Sequence, residues 1–293
     1  MPMSRTLAPA LPRPADPGAR AASLLPLFRR LTALSPSSIA WKNADPALAG
    51  VGDVDWVAPS ETWEAIVSEV RAWATHVRLG PVVVCRHVPD GMFVVALDED
   101  REFFQLDVRS RATYRGATVF RAHDLVSMAE MDPRGFRTLR PGAEGLLKLV
   151  LKGVDRAGRP RPQNLQKECV LELMGRDAAG VRQAAALFGP VRGAVLAAAE
   201  SCLTGRWNRT AAVAVELACR LKALSAPSVA VARARFRGLS MRRCPVVRAS
   251  IAGHRHPPKD YAEWLRRVAA SHQTFGLDET APAAHPKPDY GRE

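Results

Sequence analysis

Apolar residues recur along this chain with two periods, and the switch between them divides it. Trp63, Ile66, Val67, Val70, Ala74 and Val77 are spaced as on one face of a helix. Pro59-Ser60 stops the segment before it and supplies a cap, while Glu61 and Glu64 fall in the first turn, where the helix dipole favours negative charge. Gly80-Pro81 ends this helix. The β-branched run 82–88 then reads as a strand, Pro89-Asp90-Gly91 as a turn, 92–97 as a second strand, Asp98-Glu99-Asp100 as another turn and 103–109 as a third strand. The expectation is a helix followed by an antiparallel meander.

Upstream, residues 22–34 predict a short amphipathic helix, 38–42 a first strand, and 43–51 a loop that delivers the next strand. From Pro141 the period is helical throughout. Segments 142–154, 164–175, 178–188, 191–203 and 208–224 each place apolar residues three and four apart, separated by Gly, Pro or Asp, which predicts about five helices. After Ser225 the chain is Arg-rich and irregular apart from a predicted helix over 259–272, and it ends in an Ala/Pro/His/Lys tail. The predicted fold class is α+β: a leader and short helix over 1–35, a small mixed β-sheet domain over 36–140, a helical domain over 141–224 and a basic extension over 225–293. Trp63 and Trp73 are expected in the core.

The chain has 293 residues, enough to bury a substantial core. No apolar run approaches the roughly 20 residues of a membrane span, so no membrane partner is expected. Residues 1–20, rich in Pro, Ala and Arg, lack the apolar stretch of a signal peptide and read as a disordered leader. Five cysteines with no Cys-x-x-Cys pair suit a reducing compartment, so the cytoplasm is expected. The net charge is +13, but residues 1–40 hold five basic and one acidic side chains and residues 225–293 twelve and six, which leaves +3 for 41–224. Weak binding of polyanions is therefore an expectation for the termini alone.

The candidate chemistry starts at Gly52-Asp53-Val54-Asp55-Trp56. On a strand, side chains at i and i+2 share a face, so Asp53 and Asp55 project together and repel unless a cation lies between them. Farther on, Phe104, Leu106 and Val108 alternate with Gln105, Asp107 and Arg109, which puts Asp107 on the polar face of its strand.

The Gly-Asp-x-Asp strand, the helix after it and the third acid on a later strand resemble the nucleotidyltransferase superfamily, the fold of DNA polymerase beta and the CCA-adding enzymes. The resemblance implies a Mg²⁺-dependent transfer of a nucleoside monophosphate from a nucleoside triphosphate to a hydroxyl acceptor. Two Mg²⁺ ions about 3.5 to 4 Å apart serve such a reaction and require hard oxygen ligands. It further implies Asp53, Asp55 and Asp107 as metal ligands and catalytic residues, with Asp107 beside the acceptor hydroxyl as a candidate base. Gly52, Lys42, Asn43 and Arg109 are the matching candidates for contacts with the nucleotide. The sequence departs from the family in one place: where Gly-Ser or Gly-Gly usually cradles the triphosphate, it has Trp41-Lys42-Asn43. That departure keeps a second class open, a non-catalytic scaffold or partner-binding module on the same fold. Lys148 and Lys152, one helical turn apart, either reach into a cleft or line a solvated face. His87 and His123 are acid/base candidates by residue type alone, and Cys244 with His254 and His256 has no recognised metal spacing.

Overall fold

The computed structural model describes residues 17–50, 53–77, 82–88, 90–97, 103–155, 157–161, 167–225, 227, 231 and 246–250. It is a mixed α/β structure built on one eight-stranded sheet. The strands are β1 (Ile39–Lys42), β2 (Val54–Val57), β3 (Val82–Val88), β4 (Gly91–Leu97), β5 (Phe103–Arg109), β8 (Ala129–Met131), β9 (Arg137–Leu139) and β10 (Val246–Ser250), while β6 (Arg111–Tyr114) and β7 (Ala117–Arg121) pair separately as a hairpin. The sheet order is β10-β3-β4-β5-β2-β1-β9-β8. The meander β3-β4-β5 is antiparallel as expected, whereas β2 runs parallel to β5 and β1 parallel to β9.

The helices are α1 (Pro17–Ala33), α2 (Ala44–Leu48), α3 (Trp63–His76), α4 (Pro141–Lys152), α5 (Lys167–Arg176), α6 (Ala178–Ala186), α7 (Arg192–Leu203) and α8 (Arg209–Leu224). The five expected after Pro141 are all among them, with ends shifted by a few residues.

Each face of the sheet closes a core of its own. Val54, Trp56, Leu106, Val108 and Val94 meet α1 and α3 through Leu27, Phe28, Leu31, Ile66, Val70 and Trp73. Ile39, Trp41 and Val57, on the opposite face, meet the hairpin and the later helices through Phe120, Leu146, Leu147, Val150, Val195 and Val215. Trp63 and Trp73 are both core residues, as read from the helical stripe. Tertiary hydrogen bonds fix the first layer: the indole N–H of Trp56 donates to Ser38 Oγ (2.8 Å), whose hydroxyl donates to the Leu31 carbonyl (2.6 Å).

The structure corrects several expectations. The leader is helical from Pro17, where proline's fixed φ suits a first turn and the following Ala and Arg are good helix formers. The 43–51 loop contains α2. Ser60 does not cap α3; it opens a 3₁₀ turn over Ser60–Thr62, and its hydroxyl lies 3.5 Å from Glu61. The basic extension is not wholly irregular, because Val246–Ser250 adds an edge strand to β3. The predicted helix over 259–272, the turns at 98–100 and at Pro89, and residues 1–16 lie outside the described residues. The β6-β7 hairpin was not expected. Its two central residues, Arg115 and Gly116, both have positive φ (52° and 94°), the conformation of a type I′ turn. Arg115 accepts that backbone while it stacks over Tyr114 and reaches Glu216 on α8 at 3.2 Å.

Candidate metal centre

Parallel pairing sets Asp55 of β2 directly beside Asp107 of β5. The pleat sends Val54 and Trp56 one way with Leu106 and Val108, so Asp55 and Asp107 share the other face, and Asp53 enters from the residue just before β2. One ligand oxygen from each of the three lies within 4.8 Å of the other two. Asp55 has no exposed surface, Asp107 is 5% exposed and Asp53 is half-buried. Like charges facing each other across a strand pair are unfavourable, and more so out of water. The neighbouring side chains show how the protein meets that cost.

Lys42 is the first answer. In an unbroken strand it would share a face with Ala40 and enter the α1/α3 core. The pairing of β1 with β2 shifts between Ala40 and Lys42, an irregularity of the bulge type, so that Lys42 stands opposite Asp55. Its ammonium group then forms a buried ion pair with Asp55 Oδ2. Next to it, Asn43 takes a left-handed backbone (φ 59°), which asparagine tolerates better than most residues. This lets its amide Nδ2 donate to the same Oδ2 at 3.0 Å while its backbone N–H donates to Glu144 of α4 at 3.1 Å. Asp55 Oδ1, fully buried, has no hydrogen-bond partner.

Asp107 is stabilised differently. Gln105, two residues earlier on the same strand face, donates from Nε2 to Asp107 Oδ1 at 2.7 Å. Burial first, then the charges of Asp55 and Asp53, push the Asp107 carboxyl from the ordinary 3.8 up to about 8, against the opposing pull of Gln105 and Arg109. Without a cation, Asp107 therefore carries a proton at neutral pH. Burial draws the Lys42 ammonium below its ordinary range, Asp55 opposes this, and Lys152 adds to it.

All three acids singled out in the sequence thus converge. Lys42 and Asn43 join them, turned toward Asp55, and Lys42 is only 3% exposed. Arg109 is half-buried, on Asp107's face of β5 and near enough to act on its charge. Gly52 lies outside the described residues. Lys148 is buried rather than part of a solvated face, and it pairs with Glu144 at 2.6 Å. Lys152 is exposed. His123 is at the surface beside Asp124 and outside this cluster. The His87 side chain, Cys244, His254 and His256 are not among the described residues.

Two participants escaped the sequence reading. Gln105 was visible in principle, since strand alternation puts it on Asp107's face. Glu144 was not, because it meets Asn43 from 101 residues away.

The donor set suits a hard divalent cation: carboxylate oxygens only, one of them buried with an unused lone pair, in a group whose charge is otherwise relieved by protonation. Comparison with family models, curated proteins and solved structures returns no match.

Proposed function

We propose that this chain is a Mg²⁺-dependent nucleotidyltransferase, with a catalytic domain over about 36–140, to whose sheet Val246–Ser250 adds an edge strand, and a helical domain over 141–224. The observation that carries the reading is the unpartnered, fully buried Oδ1 of Asp55 inside a trio of carboxylates on adjacent strands. Asp53, Asp55 and Asp107 would hold the cations. When bound there, Mg²⁺ would lower the pKa of an attacking hydroxyl and offset charge on a departing pyrophosphate.

The protein's own groups have defined tasks in this reading. Lys42 and Asn43 occupy Asp55 Oδ2, which fixes the carboxylate's rotation and reserves Oδ1 for ligation. Gln105 does the same for Asp107 through its Oδ1. In this reading Asp107 would take the acceptor's proton as the new bond forms from the acceptor oxygen to the α-phosphorus. The bond from that phosphorus to the bridging oxygen breaks, and pyrophosphate leaves with the electron pair.

A thermal-shift titration with ATP, CTP, GTP and UTP, each with Mg²⁺, tests this reading. At least one nucleotide should raise the melting temperature of the wild type, and Asp53→Asn should abolish the rise. Four flat titrations would remove its basis.

One observation favours a second reading, a non-catalytic scaffold. The Lys42 ion pair neutralises one of the three acids from within the chain. In that case Asp53→Ala leaves cation affinity and biological output unchanged.

A further inference from the structure

Among the described residues, six of the eight large apolar side chains left exposed fall between Leu203 and Val231. Four of them belong to α8, and they are aligned. At about 100° per residue, Val213, Leu217, Leu221 and Leu224 lie within an arc of about 80°, a single stripe roughly 16 Å long. The other side of α8 is already occupied, because Val215, Cys219 and Ala223 are buried where the helix meets α7 and β7. A surface helix needs one apolar stripe to join the core. This one carries a second, on which Leu217, Leu221 and Leu224 are 56%, 58% and 74% exposed.

The exposed charges beside that stripe have one sign. Arg209 and Arg220 border it, both exposed, whereas Glu216, the one acid of α8, is buried and paired with Arg220 and Arg115. The Arg209 guanidinium reaches the Ala157 carbonyl at 3.0 Å, a neutral partner that leaves its charge uncancelled. From Leu217 to Lys259 the sequence holds ten basic residues and no acidic one. Packing against a second copy would set this basic border against its own image, which like-charge repulsion opposes. A layer of anionic phospholipid complements both properties at once, taking leucine side chains into the acyl boundary and arginines among the phosphates. No helix among the described residues is long and apolar enough to cross a membrane. Lying on one is a smaller demand, met by a single apolar face with a cationic border.

We infer that the exposed stripe of α8 docks this protein on an anionic phospholipid surface, with Leu217, Leu221 and Leu224 in the lipid interface and Arg209 and Arg220 at the phosphates. The basic run up to Lys259 adds long-range attraction. The inference is independent of the acid trio and of any reaction there.

Flotation of the full chain with lipid vesicles tests it. Vesicles of equal parts phosphatidylcholine and phosphatidylglycerol should carry the wild type upward, phosphatidylcholine alone should carry far less, and added salt should weaken the binding. Leu217→Ser combined with Leu221→Ser should lower affinity for the anionic vesicles about tenfold or more. Met131→Ser, which removes an equally exposed apolar side chain from β8, should leave that affinity unchanged. All three positions are exposed, so unchanged melting temperatures are expected and separate loss of affinity from loss of fold. Anionic-vesicle binding equal to wild type in the double variant overturns the role of α8 and assigns the attraction to the basic run. A wild type that floats with neither vesicle overturns the inference outright. So does a wild-type dimer in light scattering that the double variant converts to monomers, since the stripe then belongs to a second copy.

Discussion

Removing a charge from the acid trio should stabilise the cation-free protein, and the gain should grow with pH. Asp107→Asn keeps the shape of the side chain and the acceptor used by Gln105, but it cannot ionise. In the folded wild type the Asp107 carboxyl titrates at about 8, against 3.8 ordinarily. A folded value raised above the unfolded one means that the native state holds its proton more tightly. The associated stability is complete below pH ~4 and is lost as pH rises toward ~8. The whole displacement corresponds to at most about 6 kcal/mol. Between pH 5 and pH 8.5 the advantage of Asn over Asp should therefore increase by up to ~4 kcal/mol, with ~2 kcal/mol a reasonable lower figure after relaxation and water entry. The assay is urea unfolding of both proteins in EDTA at the two pH values, with the mutant-minus-wild-type difference isolating Asp107 from every other titrating group. Adding Mg²⁺ at pH 8.5 should reverse the order by stabilising only the wild type. A difference that is flat with pH, or an Asn variant that is less stable at pH 8.5, would refute the reasoning.

Three further outcomes follow from the geometry. Lys42→Met leaves Asp55 buried and uncompensated and should cost about 3–5 kcal/mol in denaturant unfolding, most of it recovered in the double variant with Asp55→Asn. Gly142→Ala places a Cβ against the carbonyl oxygen of Asp177, where α4 and α6 meet, so despite alanine's better helix propensity the melting curve should show a loss of about 1–3 kcal/mol. Ser38→Ala strips the Trp56 indole of its buried acceptor and should cost about 1–3 kcal/mol, while Ser38→Thr should cost less if its hydroxyl reaches the same indole.

Strict two-residue alternation in 103–109 placed Asp107 correctly, and the same rule put Asp53 and Asp55 on one face. The apolar stripe from Trp63 to Ala74 likewise gave α3, because a single buried face dictates it. Legibility failed where a conformation depends on distant partners. The Arg115-Gly116 turn lacks the Asn-Gly signal and is held by Tyr114 and by Glu216 from α8. Strands β8 and β9 are three residues each, too short to show a period. The irregularity that turns Lys42 toward Asp55 appears only in the register with β2, so the sequence offered Lys42 as a phosphate contact and gave no sign of its ion pair. Asp55 Oδ1 could not be read at all, since an unpartnered atom is a property of the packed site.

Asp53, Asp55 and Asp107 should act together as one cation site. Crystals of the protein equilibrated with Mn²⁺ should give an anomalous peak bounded by oxygens of Asp53, Asp55 and Asp107 at about 2.1 Å, with Asp55 Oδ1 among the ligands and Lys42 still on Oδ2. A map with no anomalous density among these residues, beside an unchanged Lys42–Asp55 pair, would contradict it.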